Sequence, residues 1–301
     1  MSEVLRLRDL RITYRTESGE VPAVRGVDLD IQTGEVIGLA GEDVLAMKPG
    51  RLRAVRWTGA SIVFQGAMHA LNPVQKVGDQ IGEAITIHQQ AGEREARIRV
   101  DSLLEQVGLP TRRGQDYPHE LSGGQKQRVM IAMALACAPS LVIADEPTTA
   151  LDVMVQAQVL RLMKELQNDL GLSMIFITHD LSVLVETSDR LAIMYAGRII
   201  EEGPAEQVFH DPKHPYTEAL SAAFPEIGDM RFRWHPTGLG GDPPDPADVP
   251  SGCSFHPRCP KAFDECPQID PPLYDAGPGG RRAACLLVRS PAAAVGSEVP
   301  R

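Results

Sequence analysis

The sequence predicts an α/β domain with a mostly parallel sheet covered on both faces, followed by an irregular C-terminal extension that carries cysteines. Three observations lead to this prediction. Strand-like and helix-like segments alternate along the chain up to about Pro225. Most of the strand-like segments are short, near-continuous apolar runs, as is typical of buried parallel strands. Beyond Pro225, proline and glycine cluster, periodicity fades and four of the five cysteines appear, so we expect a domain boundary there.

The individual elements follow from the spacing of apolar residues. Alternation of apolar and polar residues predicts strands at 4–14 and 24–31, and the more apolar run 35–40 predicts a buried strand. The stretch 80–107 has helical spacing and is rich in Glu and Arg. The same reasoning predicts helices at 124–138, 153–170 and 181–188, and strands at 141–144, 174–178 and 190–195.

Length, composition and charge restrict the class of protein. The 301 residues suffice for one large domain with an appendage, or for two domains, and 43% hydrophobic with 23% charged residues is typical of a globular chain. The net charge of −10 argues against nucleic acid as the main partner. No apolar run reaches the roughly 18 residues of a membrane span. The N-terminus shows no signal peptide, so we expect a cytoplasmic protein in which disulfides do not form.

Two carboxylates end the apolar run LVIADE at 141–146. Ligands bind at the carboxyl ends of parallel strands, so Asp145 is placed to hold Mg²⁺ and Glu146 to polarise a water that attacks a γ-phosphate. The alternative is a strand end with ordinary solvated acids.

A second candidate site is the segment LSGGQ at 121–125, which precedes an apolar helix. Ser122, Gly123 and Gly124 at a helix N-terminus present backbone N–H groups to an anion. The alternative is a plain N-cap with two glycines in a turn. Downstream follow PTTALD, which ends at Asp152, and IFITHD, which contains His179. The joint occurrence of these segments in this order favours a nucleotide site.

Together these motifs resemble the ATP-binding subunit of an ABC transporter, an ATPase of the P-loop NTPase type. LSGGQ resembles the family signature, LVIADE the Walker B strand, TALD at 149–152 the D-loop, THD at 178–180 the switch-histidine segment and IVFQ at 62–65 the Q-loop. The resemblance implies an ABC ATPase domain over 1–225 with a helical subdomain at roughly 79–138.

The resemblance also implies roles for individual residues. It assigns catalysis to Glu146, His179 and Gln65, and Mg²⁺ binding to Asp145 and Gln65. It assigns the D-loop position to Asp152. The nucleotide-binding residues that it implies are Tyr14, which stacks on adenine, with Gly41, Ser122, Gly123, Gly124 and Gln125.

Three further segments resemble the dipeptide/oligopeptide importer group of this family. They are FQGAMHALNPVQKVGDQI at 64–81, HDPKHPYTEAL at 210–220, and GCSFHPRCPKAFDEC at 252–266 with the later Cys285. The resemblance implies an extension over 226–289, a tail over 290–301, and ATP hydrolysis that drives peptide uptake at the cytoplasmic face of the membrane. It implies as partners a second ATPase subunit, identical or not, two permease subunits and, indirectly, a substrate-binding protein.

The phosphate-binding loop of this family is missing from the sequence. GLAGE at 38–42 matches the start of G-x-x-G-x-G-K-S/T, but DVLAMKPG follows where the glycine, lysine and hydroxyl residue are required. Lys48 is no substitute, because it precedes Pro49 and lacks a preceding glycine. We therefore expect a defective ATP site on this chain. Two alternatives stay open: a degenerate subunit that completes a partner's site, and a soluble ABC ATPase without a transport role.

Four cysteines, Cys253, Cys259, Cys266 and Cys285, lie in the Pro- and Gly-rich extension. In a cytoplasmic chain such a group indicates a metal site rather than a disulfide framework. The spacing differs from the short pairs of zinc ribbons. Iron–sulfur clusters also take four thiolates, and from varied spacings. The resemblance implies a structural [4Fe–4S] cluster, with Zn²⁺ as the alternative ligand and four free thiols as the remaining alternative.

Overall fold

The computed structural model describes most of the chain, which divides into two compact units. The first unit comprises Met1–Arg6, Asp30–Val36 and Met47–Thr178, and the second comprises Leu7–Leu29, Ile37–Ala46 and His179–Arg301. The residues that the structure describes are 2–16, 19–41, 59–64, 70–89, 91–149, 151–223 and 240–289.

The N-terminal strands form a two-stranded sheet of β1 (Glu3–Thr16) and β2 (Gly19–Gln32). Both contain the predicted strands and extend beyond them. Asp9 adopts a φ of 44°, and Gly26 adopts a φ of 84°. A Cβ on Gly26 would lie 2.8 Å from Oδ1 of Asp9, so this close approach requires glycine.

The first unit contains three parallel strands, β4 (Ala60–Val63), β5 (Leu141–Asp145) and β6 (Ser173–Ile177). β5 pairs with β4 on one side and with β6 on the other. Seven of the ten residues of β5 and β6 are buried and the other three are half-buried, which explains why their sequences are continuous apolar runs rather than alternating ones. The predictions for 141–144 and 174–178 are confirmed.

The first unit also contains the helices α1 (Val77–Gln89), α2 (Glu93–Gln106), α3 (Gly123–Leu135) and α4 (Val153–Leu170). The single helical stretch predicted at 80–107 is therefore two helices. The physical reason lies at Gly92, whose φ of −68° and ψ of 157° are extended and which forms the N-cap of α2. The helix predicted at 124–138 ends three residues earlier, at Leu135.

The strands of the second unit form a mixed arrangement. Residues 37–41 of β3 (Val36–Gly41) pair in parallel with β7 (Arg190–Tyr195). β7 then pairs antiparallel with β8 (Arg198–Pro204), whose other neighbour is the antiparallel β10 (Arg281–Ala283). β9 (Tyr274–Gly277) completes this edge. Two strands of the cysteine-bearing extension thus continue the sheet of the second unit.

The described residues of the second unit also form three short helices: α5 (Leu181–Thr187), α6 (Ala205–His210) and α7 (Pro215–Ala223). The predicted helix at 181–188 is confirmed as α5. No helix in the described part of the chain combines the length and apolar character that a membrane span requires. The predicted fold class, an α/β domain with a mostly parallel sheet, is confirmed.

Candidate functional site

The signature segment forms the start of α3 through a reciprocal capping box. The backbone N–H of Gln125 donates to Oγ of Ser122 at 3.3 Å, and the backbone N–H of Ser122 donates to Oε1 of Gln125 at 3.0 Å. Ser122 is exposed to solvent. The first N–H groups of a helix have no intrahelical acceptor, so Gly123 and Gly124 stand where an anion can approach them.

The structure brings the signature next to the D-loop. A Cβ on Gly124 would lie 2.5 Å from Cγ1 of Val155, so α3 and α4 approach closely at their N-termini. Asp152 caps α4, because its Oδ1 accepts a hydrogen bond from the backbone N–H of Val155 at 3.0 Å. The next two side chains, Val153 and Met154, are exposed. Val155 was not predicted as a site residue, because it is apolar and lies outside the recognised motifs.

Glu146 follows β5 in an unusual backbone conformation, with a φ of 45°. Its backbone N–H donates to the carbonyl oxygen of Ile177 at 2.9 Å, which continues the pairing of β5 with β6. Positive φ is costly for a residue with a Cβ, so the surrounding contacts must hold it. Such strain is concentrated at functional sites, and here it sets the direction of a carboxylate at a strand end.

Two hydroxyl groups hold the Glu146 carboxylate. Oγ1 of Thr149 donates to Oε2 of Glu146 at 2.9 Å, and Oγ1 of Thr178 lies 3.4 Å from the same oxygen. Glu146 and the preceding Asp145 are half-buried at the carboxyl end of β5. The two threonines were not among the predicted site residues. Thr149 could have been found from its three-residue spacing to Glu146, whereas Thr178 is brought there only by the pairing of β6 with β5.

The remaining predicted nucleotide residues lie in the second unit or outside the described residues. Tyr14 is half-buried on β1, and Gly41 is the last residue of β3. His179 is exposed and directly precedes Asp180, which caps α5 by accepting from the backbone N–H of Ser182 at 3.1 Å. Gln65 lies outside the described residues, as does the segment 42–58 that follows Gly41.

The four cysteines of the extension line one cavity that is partly open to solvent. Cys266 and Cys285 are buried, whereas Cys253 and Cys259 are half-buried. The side chains of His256, Lys261 and Phe263 also line this space. The structure thus brings together four residues that are spread over 253–285 in the sequence.

Backbone N–H groups lie near three of the sulfurs: those of Phe255 and His256 near Cys253, that of Lys261 near Cys259, and that of Leu287 near Cys285. Burial raises the pKa of all three thiols, that of Cys285 to about 11. The N–H donors oppose this effect, because they stabilise the thiolate form. Thiolates are the metal-binding form of cysteine, so a metal that enters this cavity displaces the protons.

Within the described residues, no three or more His, Cys, Asp or Glu side chains are arranged around a point that a metal ion would occupy. A tetrahedral zinc site with Zn–S bonds of 2.3 Å needs sulfurs about 3.8 Å apart. The four thiols therefore line one cavity, but they are not arranged tightly enough to bind a single metal ion. Cys137 lies apart from this group: it is buried near the end of α3, and burial raises its pKa.

The fold and the motif segments define an ATP-binding cassette. Residues 50–149 match the ABC transporter family model. A dimeric ATP-binding cassette, MJ0796 in a post-hydrolysis state bound to ADP and Pi, aligns over 66% of this chain and 98% of its own, with 25% identity and a TM-score of 0.58. The cbiO1 protein from Clostridium perfringens, part of the ABC transporter complex cbiONQ, aligns over 70% and 92%, with 27% identity and a TM-score of 0.60.

The C-terminal region indicates which group of ABC transporter proteins the chain belongs to. Residues 200–266 match the family model of the oligopeptide/dipeptide transporter C-terminal region. A putative peptide import ATP-binding protein of Brucella ovis is 41% identical over 90% of this chain and 93% of its own length. The dipeptide transport ATP-binding protein DppD of Bacillus subtilis is 39% identical over 90% and 91%. This chain belongs to the family of peptide-import ATP-binding proteins of ABC transporters, as its motifs predicted.

Proposed function

We propose that this chain is the ATP-binding subunit of an importer that takes up dipeptides or oligopeptides. The observation that carries the proposal is the match of residues 200–266 to the C-terminal region of peptide transporters. A soluble ABC ATPase without a transport role leaves this region unexplained. Family membership implies the use of ATP with Mg²⁺, a second ATPase subunit and a membrane permease.

We propose the following location and partners for the chain. The chain associates peripherally with the cytoplasmic face of the membrane. There it pairs with an identical or related ATPase subunit, contacts two permease subunits and serves a substrate-binding protein indirectly.

Uptake of a radiolabelled dipeptide into cells tests the proposal. Deletion of the gene should abolish the saturable component of uptake, and a plasmid copy should restore it. Uptake of a labelled free amino acid in the same cells is the matched control and should not change. Full peptide uptake in the deletion strain, with no second copy of the gene, would refute the transport role.

We propose that Glu146 would polarise the attacking water in an ATP site completed by a phosphate loop. The hydroxyl groups of Thr149 and Thr178 hold its carboxylate and so restrict its position. Asp145, at the end of the same strand, would hold Mg²⁺, which neutralises phosphate charge when bound. Tyr14 is proposed to stack on adenine, and Gln65 and His179 to contact the metal and the γ-phosphate respectively.

We also propose that the chain's own ATP site is defective. GLAGEDVLAMKPG lacks the lysine and hydroxyl residue of the phosphate loop. Two features of the comparisons fit a missing segment: the ABC transporter model matches only from residue 50, and the alignment with the Brucella ovis protein spans 314 positions although it covers 90% of 301 residues. A few tens of aligned positions therefore have no residue in this chain.

A second candidate function is completion of a partner's ATP site. The intact signature favours it, because Ser122 is exposed at the N-terminus of α3 and Gly123 and Gly124 follow it. If this role is correct, the ATPase rate of a related subunit with an intact phosphate loop should rise when this chain is added. Gly123→Asp should abolish the rise, because a carboxylate repels phosphate there, whereas an unchanged rate with the native chain would contradict the role.

For the extension, we propose that the four thiols hold a [4Fe–4S] cluster with a structural role, with Zn²⁺ as the alternative. The shared cavity and the backbone N–H groups near three of the sulfurs support a bound group. Anaerobically purified protein should then be brown, and Cys259→Ser should lower its iron content while Cys137→Ser leaves it unchanged. One zinc and no iron per chain would favour the alternative.

A further inference from the structure

The loop between the first two cysteines carries a buried aromatic side chain that lines the cysteine cavity together with the thiols. Phe255 lies between Cys253 and Cys259, and its side chain is 1% exposed. Its ring packs edge-on against Tyr195, with ring centroids 5.3 Å apart and an interplanar angle of 82°. It packs in the same way against Tyr216, at 5.5 Å and 70°. The position of this loop is therefore tied to residues of β7 and α7.

A second side chain of the same loop contacts the same tyrosine. Nη1 of Arg258 donates to the hydroxyl oxygen of Tyr195 at 3.2 Å, and the guanidinium carbon lies 5.9 Å from the ring centroid. Arg258 directly precedes Cys259. Two of the four thiols are thus each within two residues of a side chain that docks on Tyr195, and any shift of these thiols moves those side chains.

Tyr195 is the last residue of β7, and β7 is the parallel neighbour of β3. The register places Met194 opposite Gly41 and Ile193 opposite Ala40. Gly41 is the residue at which the sequence enters the segment where this family has its phosphate loop. A continuous path of contacts therefore leads from Cys253 through Phe255 and Tyr195 to the end of β3.

We propose that Phe255 couples occupancy of the four-thiol cavity to the stability of β7 and of the end of β3. The inference depends on the proposed metal or cluster at the thiols. A bound group fixes Cys253 and Cys259 and so holds Phe255 and Arg258 against Tyr195. Loss of the group frees the loop, so Tyr195 loses packing on one side, and β7 opens more often. Metal binding in the extension thereby changes the stability of β3, the strand that leads into the nucleotide site.

Hydrogen exchange of the full chain tests the coupling directly. The chain is prepared anaerobically in two forms, reconstituted with iron and sulfide or stripped with a chelator, and exchange is followed by mass spectrometry. Stripping should raise the exchange rate of the 191–195 amides about tenfold or more, because the bound group stabilises the folded form in which these amides are protected. Exchange in α2, which lies in the other unit, should not respond.

Two matched variants separate coupling from general loosening. Phe255→Leu keeps an apolar side chain but removes the edge-on contacts, and Phe263→Leu makes the same change at a cavity-lining ring that is 38% exposed. Phe255→Leu should keep its iron content while exchange at 191–195 becomes insensitive to stripping. Phe263→Leu should respond as the native chain does. Tyr195→Phe, which removes only the hydroxyl contact with Arg258, should show an intermediate response. It replaces Phe255→Leu as the test variant if Phe255→Leu fails to fold.

The outcomes distinguish the inference from the proposal on which it rests. If the native chain binds neither iron nor zinc, the thiol site itself is rejected and the coupling is rejected with it. If metal binds but exchange at 191–195 is the same in both forms, the thiol site stands and the coupling is wrong. A response in Phe255→Leu as large as in the native chain would likewise overturn the role of Phe255.

Discussion

The guanidinium of Arg281 lies 3.1 Å from the carboxylate of Glu201, and both side chains are almost completely buried. Glu201 is on β8 and Arg281 on β10, so the pair joins the cysteine-bearing extension to the strand beside β7. The same carboxylate accepts the backbone N–H groups of Lys213 and His214 at 2.8 and 2.9 Å. One buried acid therefore organises three segments of the second unit.

Replacing Arg281 by methionine should lower the free energy of unfolding by about 3–5 kcal/mol, because it leaves a buried carboxylate without its cation. Urea unfolding followed by circular dichroism measures the change. Arg161→Met is the matched control: its pair with Glu165 is exposed, with side-chain exposures of 82% and 56%, and should change the value by about 0.5 kcal/mol or less. Equal effects of the two substitutions would contradict a structural role for the buried pair.

The free energy of unfolding should decrease as the pH is lowered below 6.5, because of His214. Burial lowers the pKa of this imidazole from 6.5 to about 3, and its Nδ1 accepts from the backbone N–H of Tyr216 at 3.0 Å. Below pH 6.5 the imidazole is protonated in the unfolded chain but stays neutral in the folded chain. Unfolding therefore becomes more favourable by up to about 1.4 kcal/mol per pH unit down to about pH 3.

His214→Asn isolates this contribution, because the amide oxygen of asparagine can accept the Tyr216 N–H but does not titrate. The slope of unfolding free energy against pH should become shallower between pH 6 and 4 in this variant. His210→Asn, at an exposed position of α6, should keep the native slope. Identical slopes for His214→Asn and the native chain would show that this imidazole is protonated in the folded state.

Gly38 is required by the packing of β3. A Cβ there would lie 2.6 Å from Cδ2 of Leu191, 2.9 Å from Oγ of Ser188 and 3.0 Å from Cδ2 of Leu184. Gly38→Ala should therefore lower the free energy of unfolding by about 1–3 kcal/mol. Gly240→Ala, where a Cβ meets no atom within 4 Å, is the control. A neutral Gly38→Ala would mean that the neighbouring side chains move aside without cost.

The missing phosphate loop predicts that the isolated chain does not bind a fluorescent ATP analogue at micromolar concentration. The cradle of backbone N–H groups and the lysine are absent, and a single preorganised donor can contribute roughly 3 kcal/mol. A version with the family's loop inserted after Gly41 should bind, and the same insertion with its lysine changed to alanine should bind weakly. Tight, saturable binding by the chain as it stands would contradict the defect.

Several features of this protein follow from the sequence because they depend on residues close together in the chain. The strands β5 and β6 are continuous apolar runs, and such runs are stable only when both faces are covered. Ser122 and Gln125 stand at the spacing of a capping box, which needs only one helical turn to form. The order of LSGGQ, LVIADE and ITHD was sufficient to identify the family, since each motif is a local pattern.

Other features were decided only by the tertiary structure. The spacing of 80–107 suits one helix, yet an extended Gly92 divides it, because packing overrides periodicity at a residue with low helix propensity. The positive φ of Glu146 and its contact with Thr178 depend on the pairing of β5 with β6. Phe255 meets Tyr195 across sixty positions of sequence. Contacts between distant segments leave no period in the sequence, because each partner is selected by the surface it meets in the folded chain rather than by its neighbours along it.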